Sequence, residues 1–388
     1  MQSTPTRPSH HANASRSLFQ NPWPGMTVDP NPDSTLPPPP LPPPENHDSD
    51  SDTSPTPTDG TMAPASPSTA GLALPISIER VRALDPRPPH PPIKVIKPDW
   101  GRRSSTAASL KATWLGHASF LVEFPSRTVA DELPRVLFDP IFSDSAGPSP
   151  WVGVQRRLPP PCTVAELPEF QFVVYSHNHY DHLDLPTLQQ IHELRGDRVH
   201  FLVPLGNKTW FEETGIPTSQ ITELDWWDIA TLPTHPHSHQ ELKFVCTPAQ
   251  HTSEIGSKYG PFDIAMLPIW RGGSFSFVAR LGFRVVHTRE SILTSWHATP
   301  AHALRMHLAL RARHSLAMHF ATFAGSDVEA LDPIVELEQA KREMMMMPPT
   351  SAAVGDWWME GGMGVIDVGE TATVHVGETE ASGLENEL

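Results

Sequence analysis

The stretch Ser176-His177-Asn178-His179-Tyr180-Asp181-His182 decides the fold and the chemistry of this chain. It places three imidazoles and one carboxylate within six positions, in the order H-x-H-x-D-H. Neutral imidazole and carboxylate are the ligands that zinc takes when no thiolate is offered. Because these side chains alternate along the chain, they can divide into two sets that face two adjacent ions. The stretch therefore predicts a two-metal centre.

The segments on either side of this stretch predict a strand and a helix. The apolar run Phe172-Val173-Val174-Tyr175 is typical of a buried strand. A helical pattern follows at 186–195, with Asp184 at its N-cap position and Gly196 just past its end. The histidines are thus predicted to lie on a loop at the end of a strand, where α/β proteins usually place their sites.

The composition of the chain excludes several classes of protein. Its 388 residues carry a formal net charge of −16, which argues against a nucleic-acid groove and against broad binding to anionic membranes. Only two cysteines occur, Cys162 and Cys246, so a reducing, intracellular compartment is favoured. No apolar run approaches the length of a membrane span, and no signal-peptide core is visible. We therefore expect a cytoplasmic protein with no transmembrane segment and no nucleic-acid partner.

Residues 1–91 are predicted to form a mostly disordered N-terminal arm. The chain has 45 prolines, and a polyproline run lies at 37–44. Such a sequence buries too little apolar surface to offset the entropy lost on ordering. Arg7 and Arg16, with no acid before Asp29, leave a mitochondrial presequence open as the alternative, but no amphipathic helix supports it.

Residues 92–378 are predicted to fold as one α/β domain, followed by an acidic tail at 379–388. Short apolar runs alternate with helical patterns, which favours a sheet covered by helices. Helices are predicted at 186–195 and 300–313. Strands are predicted at 112–115, 120–124, 136–138, 172–175, 201–204, 243–247, 264–267 and 315–318, with short closing strands within 356–376.

Two further histidines also follow predicted strands. His251 comes just after the strand at 243–247, and His319 ends the run at 315–318. The predicted ligand sets are His177, His179 and His251 for one ion, and Asp181, His182 and His319 for the other. Two adjacent metals lower the pKa of a shared water and hold the attacking and leaving oxygens of a displacement. The predicted reaction is hydrolysis of a phosphate ester, a lactone or an amide, and the residues alone do not choose among these.

The H-x-H-x-D-H order with later single histidines resembles the metallo-β-lactamase superfamily. Several segments resemble one of its families more narrowly, the N-acylphosphatidylethanolamine-hydrolysing phospholipases D. These are TWLGHAS (113–119), LFDPIFS (137–143), SHNHYDHLD (176–184), ELDWW (223–227), TPAQH (247–251), AMHFATF (317–323) and, within the arm, FQNPWP (19–24). The resemblance covers most of residues 92–376.

This resemblance implies a fold, a reaction and several residue roles. The fold would be an αββα sandwich of the α/β class. Two zinc ions would assist hydrolysis of N-acylphosphatidylethanolamine to N-acylethanolamine and phosphatidic acid, with Asp181 both ligand and catalytic residue. His297 would orient the phosphate or donate a proton to the leaving oxygen, and Asp184 would steer a ligand imidazole. The substrate would be a phospholipid at a membrane surface, which places the protein peripherally on intracellular membranes, and a homodimer is an open option.

The chain departs from the family pattern at one ligand. The family carries an aspartate that bridges both metals, in a Gly-Asp-Thr-Gly stretch between the third and the last histidine. Here the only acids between His251 and His319 are Glu254, Asp263 and Glu290. None follows an apolar strand, so a strand, a turn and a helix start are predicted to be missing. Unpaired strand groups cost about 1–3 kcal/mol each when buried, and we expect poor stability with weak or no activity.

Three functions stay open on the sequence alone. The first is the phosphodiesterase, and the second is an enzyme of the same fold that acts on another ester or lactone, because function resides in the site rather than in the fold. The third is a catalytically inactive remnant or isoform. His117 is predicted to take a structural role, hydrogen-bonding within the sheet without touching metal.

Overall fold

A computed structural model describes the greater part of the predicted hydrolase domain. The described residues are 77–80, 92–104, 109–125, 133–149, 152–235, 238, 240–248, 252–270, 283–286, 297–324, 327–344 and 362–376. The predictions for His251, for the tail at 379–388 and for the arm, including residues 19–24 and the presequence, lie outside these residues, apart from 77–80 of the arm.

The larger sheet of the described chain has seven strands in the order β16-β2-β3-β4-β7-β8-β9. Its first four strands pair antiparallel, whereas β4, β7, β8 and β9 run parallel. The strands are β2 (Ser109–Gly116), β3 (Ser119–Glu123), β4 (Arg135–Phe138), β7 (Phe172–Val174), β8 (His200–Pro204), β9 (Ile221–Leu224) and β16 (Thr371–His375).

A second sheet has three parallel strands in the order β12-β14-β15, and the described residues also form three two-stranded sheets. The second sheet contains β12 (Ile264–Pro268), β14 (His314–Met318) and β15 (Gly362–Gly364). The pairs are β1 (Ser77–Arg80) with β13 (Phe283–Val286), β5 (Ser145–Ser149) with β6 (Val152–Gln155), and β10 (Ile229–Pro233) with β11 (Glu241–Val245).

Helices cover the sheets. They are α1 (Leu185–Arg195), α2 (Lys208–Glu213), α3 (Thr252–Tyr259), α4 (Pro300–Leu310) and α5 (Asp327–Glu343). None of the helices among the described residues is long and apolar enough to cross a membrane.

Two apolar cores define the layers. Leu188 and Ile191 of α1 and Phe211 of α2 pack on one face of the large sheet, together with Val173 and Phe201. The other core joins side chains of β2 and β3 to those of the second sheet, and Ala303, Leu304, Ile334 and Leu337 bring α4 and α5 against it. The order of layers is therefore helices, sheet, sheet, helices, which is the predicted αββα sandwich.

The predicted strands and helices are confirmed, with shifts at their ends. The strand expected at 243–247 is β11, which lies at Glu241–Val245. Helix α4 ends at Leu310 rather than at residue 313, because Arg311 turns into the left-handed region with a φ of 57°. The closing strands within 356–376 are β15 and β16.

Candidate metal centre

Four loops at one end of the two sheets bring the candidate ligands together. The histidine-rich stretch follows β7, Asp139 follows β4, His117 lies in the turn between β2 and β3, and His319 follows β14. Strands β4 and β7 are neighbouring parallel strands, so their carboxyl ends meet at the same edge. Side chains on such loops are positioned by a rigid sheet.

The backbone is strained at three of these positions. His117, Asp139 and His319 have φ values of 51°, 40° and 62°, in a region that residues other than glycine rarely adopt. Each such conformation costs on the order of 1–3 kcal/mol and is kept only where the surroundings enforce it. Hydrogen bonds enforce it here, because His319 N–H donates to the carbonyl of His117 at 3.0 Å and His117 N–H donates to Thr322 Oγ1 at 2.6 Å.

One carboxylate oxygen lies at the centre of three imidazole nitrogens. Asp181 Oδ2 is 2.8 Å from Nε2 of His117, 3.5 Å from Nε2 of His182 and 3.3 Å from Nε2 of His319. The Nε2 atoms of His182 and His319 are themselves 2.9 Å apart. Asp181 keeps a quarter of its side chain exposed, while the three histidines are buried. These four residues can hold a metal ion, since one donor atom from each lies within 4.8 Å of the others.

The chemistry of this donor set fits a divalent metal such as zinc. Imidazole nitrogen and carboxylate oxygen are zinc ligands, and tetrahedral bonds of about 2.0–2.1 Å place ligand atoms roughly 3.3 Å apart. Four separations between these donor atoms, of 2.8, 2.9, 3.3 and 3.5 Å, lie around that value. The buried Nδ1 atoms of His117 and His319 have no hydrogen-bond partner among the described residues.

The site favours an ionised carboxylate and at least one neutral imidazole. Burial opposes charge on Asp181, yet hydrogen bonds from His117 and His319 hold the pKa of its carboxyl well below the usual value. Burial, followed by the charge of His319, lowers the pKa of His117 well below that of a free imidazole. Deprotonated carboxylate and neutral imidazole are the forms that coordinate metal.

Asp139 orients one of these imidazoles from outside the cluster. Its Oδ2 lies 2.8 Å from Nδ1 of His182 and accepts a hydrogen bond of 2.6 Å from Ser176 Oγ. Burial lowers the pKa of His182, but the Asp139 hydrogen bond outweighs it and leaves that pKa raised. A carboxylate on the far nitrogen fixes the ring and the tautomer of a metal-binding histidine.

Comparison with known proteins relates the part of the chain around the histidine-rich stretch to a known family. Residues 134–257, which include the histidine-rich stretch, match the family described as the beta-lactamase superfamily domain. These residues therefore form a beta-lactamase superfamily domain. The chain is a hydrolase of the α/β class, and its fold is that of the superfamily.

Two curated relatives and one solved structure illustrate the similarity. The chain is 27% identical over 296 residues to N-acyl-phosphatidylethanolamine-hydrolyzing phospholipase D 1 of Caenorhabditis elegans, covering 65% of this chain and 76% of that protein. It is 27% identical over 251 residues to the mitochondrial N-acyl-phosphatidylethanolamine-hydrolyzing phospholipase D of Saccharomyces cerevisiae, covering 58% of this chain and 50% of that protein. The metallo hydrolase Igni18 of Ignicoccus hospitalis aligns with a TM-score of 0.39 and 16% identity, over 68% of this chain and 98% of that one.

The structure assembles one of the two predicted ligand sets. Asp181, His182 and His319 come together, as the set predicted for the second ion requires. His177 and His179 lie beside each other with ring centroids 4.6 Å apart, and their predicted partner His251 is outside the described residues. His177 and His179, the described members of the first set, therefore lie next to each other but outside the four-residue cluster.

His177 lies against the assembled cluster. Its ring centroid is 4.0 Å from that of His182, and its Nδ1 is 2.8 Å from Ser176 Oγ. Burial, followed by the charge of His182, lowers the pKa of His177 to about 4. His179 is exposed on the same loop.

The assignment of the orienting carboxylate to Asp184 is wrong, and Asp139 takes that contact. Asp184 lies at the N-cap position of α1, as predicted, but its carboxylate accepts hydrogen bonds from Ser143 Oγ and Thr187 Oγ1. It therefore fastens the start of α1 to the loop after β4. Asp139 was identifiable only through its position directly after an apolar strand.

His117 takes part in the cluster, although the sequence predicted only a structural role. Its backbone does serve the sheet, because its carbonyl also accepts a hydrogen bond of 2.9 Å from Trp114 Nε1. Its ring, however, faces Asp181 rather than the sheet. The signal for this role is that His117, like His319, ends an apolar strand.

His297, which the resemblance implied to lie beside the substrate, lies beside the cluster. Its ring centroid is 5.7 Å from that of His319 and 5.0 Å from that of Trp270. Burial, followed by the charge of His319, lowers the pKa of His297 to about 4. Its buried Nδ1 has no hydrogen-bond partner in the part of the chain that the structure describes.

Proposed function

We propose that this hydrolase is a zinc-dependent phosphodiesterase that cleaves N-acylphosphatidylethanolamine to N-acylethanolamine and phosphatidic acid. The observation that carries the proposal is the convergence of Asp181, His182 and His319 on one point in a chain that carries a superfamily domain. Similarity to the nematode and yeast phospholipases D supports the substrate class. The proposed location is cytoplasmic and peripheral on intracellular membranes, where the phospholipid substrate lies, and the homodimer stays a prediction.

Each residue of the cluster has a proposed role in this reaction. Asp181, His182 and His319 would hold zinc, and His177, His179 and His251 would contribute the second set. Bound zinc supplies Lewis acidity and a hydroxide nucleophile at neutral pH. Asp139 keeps the His182 ring facing the cluster through its 2.8 Å contact with Nδ1.

His297 would orient the phosphate. Because burial lowers its pKa to about 4, its imidazole is neutral at neutral pH and presents one N–H and one lone pair. A neutral imidazole donates a hydrogen bond to a phosphate oxygen more readily than it transfers a proton. The histidine is accordingly proposed to position the substrate rather than to act as the general acid.

We also propose that an internal deletion limits the activity. No Gly-Asp-Thr-Gly stretch occurs between His251 and His319. Among the described strands β12 has a single paired neighbour, β14, and β11 pairs with β10 rather than with the second sheet. Both pairings, which concern the described strands alone, support the proposed deletion.

The experiment is hydrolysis by the purified full chain after reconstitution with zinc. N-Acylphosphatidylethanolamine in mixed micelles is the substrate, and the release of N-acylethanolamine and phosphatidic acid is followed by mass spectrometry. We expect slow release that disappears in His319→Ala and persists in His192→Gln, which alters an α1 histidine away from the cluster.

Turnover of a lactone or another ester, with none of the phospholipid, would assign a different substrate to the same fold. Metal binding without any turnover would identify an inactive remnant, whereas fast phospholipid turnover with two zinc ions per chain would overturn the deletion proposal.

A further inference from the structure

The contact between His117 and Asp181 is the shortest in the cluster that involves the central carboxylate oxygen. Nε2 of His117 lies 2.8 Å from Asp181 Oδ2, compared with 3.3 Å for His319 and 3.5 Å for His182. The His117 side chain is 3% exposed, so its ring has left water to face this carboxylate. Its centroid is 3.9 Å from the ring centroid of His319.

We propose that His117 is a metal ligand, the fourth protein donor to the ion held by Asp181, His182 and His319. The inference rests on the proposed metal centre but not on the proposed substrate. It gives this ion three imidazole donors and one carboxylate donor from the protein.

Hydrogen bonding alone does not account for the geometry. Asp181 Oδ2 has about two lone pairs, yet three imidazole Nε2 atoms lie within 3.5 Å of it. Two of those nitrogens, on His182 and His319, also lie 2.9 Å from each other. A single cation between the four atoms would instead take one lone pair from each of them, and its tetrahedral ligands would be roughly 3.3 Å apart.

The backbone holds the His117 ring in place before any ion binds. Its N–H donates to Thr322 Oγ1 at 2.6 Å, and its carbonyl accepts from His319 N–H at 3.0 Å and from Trp114 Nε1 at 2.9 Å. These bonds tie the β2–β3 turn to the loop that carries His319. A strained φ of 51° at His117 is consistent with a position set by function, because strain of this kind collects at ligand sites.

The test counts imidazoles on the bound metal. The full chain with His177→Ala and His179→Ala, which removes the described part of the other ligand set, is loaded with one equivalent of zinc and measured by X-ray absorption. We expect three imidazoles per zinc, and two after His117→Ala. Competition with a chromophoric chelator should show affinity falling by more than about 100-fold, since the loss of even an outer partner of a ligand costs roughly 10–100-fold.

A second variant separates a ligand from a residue that only orients Asp181. His117→Gln keeps an N–H donor for the carboxylate but offers zinc no imidazole, so we expect it to lose affinity as His117→Ala does, while His192→Gln does not. Circular dichroism and thermal melts confirm that each variant folds. The proposal would be overturned if His117→Gln bound zinc with wild-type affinity. It would also be overturned if the chain with His177→Ala and His179→Ala bound no zinc or bound it through only two imidazoles. Three imidazoles per zinc in this chain, together with no phospholipid turnover by the zinc-loaded wild-type chain, would overturn only the proposed substrate.

Discussion

Asp139 Oδ2 lies 2.8 Å from Nδ1 of His182, while Nε2 of the same ring lies 2.9 Å from Nε2 of His319. The imidazole is thus held on one side by a carboxylate and presented on the other side to the cluster. Asp139 itself is fixed by Ser176, whose backbone N–H and hydroxyl donate to its two oxygens at 2.7 and 2.6 Å. The pair links the ends of β4 and β7 to the metal centre.

Replacing Asp139 by asparagine should weaken metal binding without unfolding the protein. Asparagine preserves the shape of the side chain but removes the charge that orients the His182 ring, so we expect zinc affinity to fall by about 10–100-fold. Chelator competition on the purified protein measures this. Asp184→Asn is the matched control, because Asp184 binds Ser143 and Thr187 rather than an imidazole. A larger loss of zinc affinity in Asp184→Asn than in Asp139→Asn would contradict the assignment.

The difference between these two aspartates shows what the sequence could not reveal. Asp139 and His182 are separated by 43 positions, and their contact depends on β4 and β7 being neighbours in the sheet. Apolar runs predict strands but not which strands pair. The candidate ligands between His177 and His182 were visible because they are close together in sequence. The contribution of His117 could not be predicted, because it depends on the geometry of the turn at the end of β2.

A chain of charges that crosses three strands should be costly to break. Glu123 of β3 is paired opposite both Lys111 of β2 and Arg135 of β4, and its oxygens lie 2.8 Å from Lys111 Nζ and 2.6 Å from Arg135 Nη2. The Lys111 and Glu123 side chains are each 10% exposed. Glu123→Gln leaves two mostly buried cations without a counter-charge, so we expect the free energy of unfolding to fall by about 3 kcal/mol. Urea denaturation followed by fluorescence measures the change.

A surface pair serves as the control for this prediction. Lys97 and Glu166 are 3.3 Å apart, but their side chains are 82% and 47% exposed. Exposed ion pairs contribute little, since water and salt screen them. Lys97→Met should leave the denaturation midpoint unchanged. Equal shifts of the denaturation midpoint for Lys97→Met and Glu123→Gln would show that the ion pairs between β2, β3 and β4 affect stability no more than an exposed pair does.

The fold was more predictable than the site because it depends on local patterns. Each predicted apolar run corresponds to an observed strand. The runs that contain Val173 and Phe201 are continuously apolar because both faces of these strands are buried. The position of β16 beside β2 was not predictable. It depends on pairing across more than 250 residues, for instance between Thr113 and Thr371, whose hydroxyls lie 2.8 Å apart.

Helix α3 should tolerate no side chain at Gly256. A Cβ there would lie 2.0 Å from the carbonyl oxygen of Ala309 in α4, so the two helices would have to separate. The helix propensity gained by alanine is at most about 1 kcal/mol, while overpacking costs about 1–3 kcal/mol or more. We expect Gly256→Ala to lower the melting temperature clearly. Ser257→Ala, on the exposed face of α3, should change it little, and a Gly256→Ala protein as stable as the parent would refute the close packing of α3 on α4.

The thiol of Cys162 should react slowly with alkylating agents near neutral pH. It lines a surface cavity of about 420 Å³ with Phe142 and Thr163, and burial, followed by the charge of Glu166, raises its pKa from 9.0 to about 11. Only the thiolate attacks, and a shift of two units reduces its fraction at pH 8 by about 100-fold.

The reaction is measured with iodoacetamide and mass spectrometry on a Cys246→Ser variant, so that one thiol is followed. Because the folded pKa is raised, we expect the rate to increase about tenfold per pH unit through pH 8 to 10 without levelling off. The same variant in guanidinium chloride is the control, and its rate should level off above pH 9. A folded protein whose rate levels off at pH 9 would show that the Cys162 thiol ionises as freely as one in water.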